Sequence, residues 1–142
     1  MFQEQLTQAL HIDTPVHPAS TPVGTADTGG IDLQKFKRAT FVLNVGSVGA
    51  AGTVDCKLQE STDNITFTDL AGLNVAITQI TVSNRVTTLE VRADQITKRY
   101  VRARTTIGGN AVVICVNAIA ADASHKPEGA DDASVAQRQV VS

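Results

Sequence analysis

Arg38-Ala39-Thr40-Phe41-Val42-Leu43-Asn44-Val45 alternates apolar and polar side chains with a period of two. Ala39, Phe41, Leu43 and Val45 fall on one side of an extended chain, Arg38, Thr40 and Asn44 on the other, and Val42 is the apolar exception. Successive strand residues point to opposite faces, so the pattern predicts a half-buried strand of about ten residues. Val54, Cys56 and Leu58 repeat the alternation against Asp55, Lys57 and Gln59. The connection, residues 46–53, holds only Gly, Ala, Ser and Thr with one Val, and the two strands are expected to pair as a wide hairpin.

Beyond them, Ser61-Thr62-Asp63-Asn64 is a turn signature, because short oxygen-bearing side chains bond to nearby backbone and Asn tolerates positive φ. A third strand is expected over Ile65, Phe67 and Asp69. Further runs cover residues 76–82, 86–92, 98–105 and 111–120, and the glycines of Gly108-Gly109-Asn110 read as a hairpin turn between the last two. That makes about seven strands with short connections. No stretch of residues 35–120 sustains a helical period, so the crossover helices of a parallel sheet are missing and pairing must be antiparallel. The expected fold is all-β: an antiparallel β-sandwich, plain or of jelly-roll connectivity, with extended N- and C-terminal arms.

Three segments follow: an arm over residues 1–34, a sandwich body over 35–120 and a tail over 121–142. Pro15, Pro18 and Pro22 lie in the arm and Pro127 in the tail, leaving a proline-free middle suited to a hydrogen-bonded sheet. Phe2, Leu6 and Leu10 stand at i, i+4 and i+8, which predicts two turns of amphipathic helix before the proline-rich stretch. The arm carries Glu4, Asp13, Asp27 and Asp32 and no Lys or Arg, whereas the body is net basic. With 42% hydrophobic residues the chain can bury a core without disulfides or metal. Cys56 and Cys115, at alternating positions of apolar runs, are expected as buried free thiols, or as a disulfide should their strands be neighbours.

The residues offer little to chemistry. His11, His17 and His125 all lie in the arms, where no rigid scaffold would hold them in catalytic geometry. No Gly-x-Ser-x-Gly stands in the chain, and no body histidine could activate a Ser or Cys. Glu60, Asp63 and Asp69 lack the regular spacing of a calcium loop. The expectation is no enzyme, no cofactor, no metal and no small-molecule substrate. Residues 1–10 lack a secretory signal's basic start and apolar run, and no run approaches the ~20 apolar residues of a membrane span, which reads as an uncleaved chain with no membrane partner.

Lys98-Arg99-Tyr100-Val101-Arg102-Ala103-Arg104 is the sharpest local feature: period two puts Lys98, Tyr100, Arg102 and Arg104 on one face and turns Val101 and Ala103 to the core. Such a row is either solvated, paired with Glu90 and Asp94, or met by acidic groups of another subunit, for which the acidic arms are suited. Nucleic acid is the weaker partner, because single-strand binders add several stacking aromatics and this face has one Tyr.

The run Lys57-Leu58-Gln59-Glu60-Ser61-Thr62-Asp63-Asn64-Ile65-Thr66-Phe67-Thr68-Asp69-Leu70, followed by Lys98 to Arg104, resembles small virion proteins of tailed bacteriophages. Some of these are cement or decoration proteins that clamp neighbouring capsomers from outside. The resemblance implies a sandwich body, homotrimeric at capsid three-fold positions, assembled in the host cytoplasm, located in the virion and partnered by the major capsid protein. Phe2, Leu6 and Leu10 would then anchor the arm in apolar grooves, and Lys98, Tyr100, Arg102 and Arg104 would face acidic neighbours. Other roles in keeping with the residues are a minor head, neck or tail protein, or a carbohydrate-binding sandwich, the last disfavoured by the absence of Trp.

Overall fold

The computed structural model describes residues 6–72 and 74–124. One helical turn, Leu6–Ala9, leads into nine strands: β1 (Leu10–Thr21), β2 (Gly24–Asp27), β3 (Ile31–Asp32), β4 (Phe36–Val48), β5 (Thr53–Ser61), β6 (Thr68–Asp69), β7 (Arg85–Arg92), β8 (Tyr100–Gly108) and β9 (Val112–Ala123). Sheet A has the order β1-β9-β4-β7; sheet B has the order β2-β8-β5-β6, with β3 also on β8. Every pairing is antiparallel.

Those two orders define the connectivity. Aligned, they set β1 with β2, β9 with β8, β4 with β5 and β7 with β6, so chain neighbours fall in opposite sheets. Only β2 to β3 and β5 to β6 stay within a sheet. This is a jelly-roll sandwich, and the expected all-β antiparallel architecture is the observed one.

Between the sheets lies a single apolar layer. The parity read from the sequence holds on β4, where Ala39, Phe41, Leu43 and Val45 are buried, and on β8, where Val101 and Ala103 are fully buried. Phe41, Leu58, Ile107 and Ile114 are its largest enclosed side chains. The His11 ring stacks on Phe36 at 5.3 Å between centroids, closing the layer at the β1 margin.

Four local expectations change. First, β4 and β5 do not form a hairpin but cross from sheet A to sheet B. Alternation marks which face is apolar, and a hairpin and a corner both supply that. Second, β8 and β9 also lie in different sheets, so Gly108-Gly109-Asn110 is another corner. Gly109 has φ +71°, and a Cβ there would overlap the carbonyl oxygen of Ala51, itself at φ +59°, in the β4–β5 corner. The two corners also share a bond from the Gly49 N–H to the Ala111 carbonyl, 3.3 Å.

Third, Ile65 does not begin a strand. The Asp63 carboxylate accepts the N–H groups of Ile65 (2.9 Å) and Thr66 (2.8 Å), so the ladder to β5 starts only at Thr68. Residues 76–82 likewise touch β5 through bridges at Ala76 and Ile80 without a continuous ladder. Fourth, Cys115 is half-buried on the outer face of sheet A, while Cys56 is in the core; both are free thiols. β9 reads Val-Val-Ile-Cys-Val and is apolar on both faces, so period two did not set its parity.

Residues 10–32 supply β1, β2 and β3, whose backbone pairs with β9 and β8. Prolines did not prevent this, because β1 is an edge strand and its register shifts between Asp13 and Val16 and between Val16 and Ala19, where Pro15 and Pro18 sit. Of the expected helix over Phe2, Leu6 and Leu10, the described residues contain the turn Leu6–Ala9, and Leu10 already belongs to β1. Phe2 and nearly all of the tail lie outside the described residues.

Candidate functional site

Sheet B turns outward a lattice of charge built from β8 and β5. Cross-strand register sets Arg104 opposite Lys57 and Arg102 opposite Gln59. Two cations face to face repel, and the neighbouring strands relieve it. On one side Asp27 of β2 lies opposite Arg104 and accepts two bonds from its guanidinium, 2.8 and 2.7 Å. On the other, Asp69 of β6 takes the Lys57 ammonium at 2.6 Å.

Arg102 completes the lattice. Its guanidinium donates twice to the Gln59 Oε1 (2.9 and 2.8 Å), approaches Asp27 at 3.2 Å and lies 4.0 Å from the centre of the Phe67 ring. The Gln59 amide donates onward to Asp69 at 2.7 Å. Arg99 sits 5.0 Å from the Tyr100 ring centre and grips Asp32 of β3 by two bonds, 2.9 and 2.6 Å. Lys98 donates to the Thr68 hydroxyl at 2.7 Å.

Electrostatics follow from these bonds. Hydrogen bonding from Arg104 holds the Asp27 carboxyl below its ordinary range, Arg99 does so for Asp32, and Gln59 with Lys57 does so for Asp69. Arg99 and Arg104 are pushed upward by the same partners. The arginines of the row from Lys98 to Arg104 therefore have carboxylate partners within their own chain, at Asp27 and Asp32. Glu90 stands on sheet A instead, and Asp94 lies 3.2 Å from Arg92. The excess of acid in residues 1–34 was the signal available for Asp27 and Asp32; their register on β8 was not.

The outer face of sheet A differs. Apart from Arg38, paired with Asp122 at 2.8 Å, and the β7 edge, its central strands turn out uncharged side chains: Thr40, Val42 and Asn44 on β4, and Val113, Cys115, Asn117 and Ile119 on β9. Ile12 stands opposite Ile119, and the Thr14 hydroxyl donates to Asn117 at 2.9 Å. Leu10 is half-buried at this face, and Leu6 is exposed just before it.

The described residues contain no group of three or more His, Cys, Asp or Glu able to hold a metal ion. Asp63 is engaged by Ser61 (2.8 Å) and two backbone N–H groups, which lower its pKa to about 2. Asp69 is engaged by Lys57 and Gln59, so the two carboxylates do not converge. Glu60, buried, accepts the Thr97 N–H at 3.0 Å and hydroxyl at 2.9 Å, which pins the loop before β8. His17 is exposed, and His125 lies outside the described residues.

No protein-family model and no curated protein matches the sequence. Among solved structures, the chain is similar to the PBSX exported protein XepA, with TM-score 0.58 and 15% identity over 97% of this chain and 45% of that one. It is also similar to VP2 of the infectious bursal disease virus subviral particle, with TM-score 0.50 and 13% identity over 83% of this chain and 33% of that one. The shared feature is the fold. The chain spans less than half the length of either protein, so the likeness covers only part of each.

Proposed function

We propose that this chain is a structural protein of a virion, a cement or decoration protein that stabilises a tailed-phage head by bridging neighbouring major capsid subunits as a homotrimer. The observation that carries this reading is the jelly-roll itself, with two broad outer faces, one a lattice of internally paired charge and the other with uncharged central strands. Its likeness in fold to VP2 of a viral subviral particle and to the PBSX exported protein XepA supports a virion role and a virion location; assembly in the host cytoplasm is part of the same proposal. No helix among the described residues is long and apolar enough to cross a membrane.

A particle under internal pressure is held by many modest contacts spread over several subunits, and extended segments supply such area with added avidity. Residues 1–12 are assigned that part here, with Phe2, Leu6 and Leu10 as anchors. Lys98, whose partner on the chain is the Thr68 hydroxyl, is the cation of the row best able to take a capsid carboxylate as well. Tyr100, Arg102 and Arg104 stand beside it.

Removal of residues 1–12 is the test. Binding to empty heads of the source phage should be lost while the circular dichroism of the sandwich remains; unchanged binding refutes the assignment. Copy number separates cement from neck or tail, since the former occurs on the order of hundreds per particle and the latter at about a dozen by symmetry.

A further inference from the structure

Two apolar features of opposite shape stand at opposite ends of the sandwich. Beyond the Ser61 end of β5, Ile65 is 82% exposed at the tip of the 61–67 loop. That loop is pre-ordered: Asp63 ties down Ile65 and Thr66, Asn64 adopts φ +60°, and Gly30 leaves the space into which the Asn64 side chain fits. Around thirty ångströms away, by the length of β5, the other end carries an open groove on the outer face of sheet A. Pro18, Val113, Cys115 and Val86 line it, and Val86 is 66% exposed. Val82, 53% exposed, lies with Val86 along the adjoining groove.

The charges match as the shapes do. Asp63 remains ionised down to a pH of about 2. Arg85, at the groove, bonds only the Asn84 carbonyl, at 3.4 Å, and has no acidic partner among the described residues. A rigid apolar tip beside an anion thus has its complement, an apolar groove beside a cation with no acidic partner among the described residues, on the same chain but out of its own reach.

We propose that copies of this chain associate head to tail, the Ile65 loop of one seated in the Val86 groove of the next, with Asp63 set against Arg85. This rests on the assembly role proposed above and names the contact that builds the oligomer. Knob and groove are different surfaces, so the contact is heterologous, and under the homotrimer proposed above it closes into a ring of three copies.

Such a contact predicts complementation. Ile65→Asp destroys the knob and keeps the groove; Val86→Asp does the reverse. Wild type should sediment as a trimer, and each variant alone should associate about tenfold or more weakly, as expected for loss of one buried aliphatic anchor. Mixed in equal amounts, the two variants should form a heterodimer through the one intact contact. Should Val86→Asp not fold, Arg85→Glu replaces it. A monomeric wild type, folded variants that associate as wild type does, or a mixture of folded variants that stays monomeric would each overturn the proposal. Head binding measured on the same samples keeps the two readings apart: a trimer that ignores heads defeats the virion role alone, and a monomer that binds heads defeats this contact alone.

Discussion

Replacing Asp27 by Asn tests whether the charge lattice of sheet B holds the N-terminal strands to the sandwich. The carboxylate accepts two bonds from Arg104 and lies 3.2 Å from Arg102, and its own side chain is 24% exposed. Bonds to charged groups contribute about 1.5–3 kcal/mol each when buried, and exposed ion pairs about 0.2–1. Partial exposure places this pair between those limits, and Asn retains one acceptor, so a loss of about 1.5–2 kcal/mol is expected. Part of it is the repulsion between Arg104 and Lys57, which Asp27 now offsets. Urea unfolding of wild type, Asp27→Asn, Arg104→Met and the double variant forms a cycle whose coupling should be about 1 kcal/mol or more. The coupling should fall by less than half between low salt and physiological salt, because the partners are in contact well inside the ~8 Å screening length. A coupling near zero would refute the claim that this pair contributes to stability.

Two further outcomes follow from the same geometry. Gly109→Ala should cost about 3 kcal/mol or more, since the new methyl meets the Ala51 carbonyl and the backbone sits at φ +71°, and a melting temperature within ~2 °C of wild type would contradict the corner packing. Asp63 has its pKa lowered from 3.8 to about 2, so its contribution is present above 3.8 and lost as pH falls through about 2. The urea midpoint should therefore drop between pH 4 and pH 2, with Asp27, Asp32 and Asp69 acting in the same direction, and Asp63→Asn should flatten part of that drop.

Much of this molecule was legible before any coordinates. Period-two alternation located β4, β5 and β8, because one face of each meets a common apolar layer, while β7 and β9 were visible only as runs between turn signals. The Ser61-Thr62-Asp63-Asn64 turn was readable from the bonding habits of short polar side chains, and it forms those bonds. The inward Val101 and Ala103 and the outward Tyr100, Arg102 and Arg104 followed from parity alone.

Tertiary structure decided everything that depends on which strand lies beside which. Alternation is silent on the difference between a hairpin and a corner, so the crossings at residues 46–53 and 109–111 were not readable. β1, β2 and β3 were hidden because their residues are polar and proline-bearing; their pairing comes from open edges on β9 and β8, a long-range property no local window contains. The acidic excess before residue 35 and the cations at 98–104 were both visible in the sequence. Only the antiparallel register of β2 and β3 on β8 brings Asp27 to Arg104 and Asp32 to Arg99, because ion pairing needs ångström proximity and composition carries none.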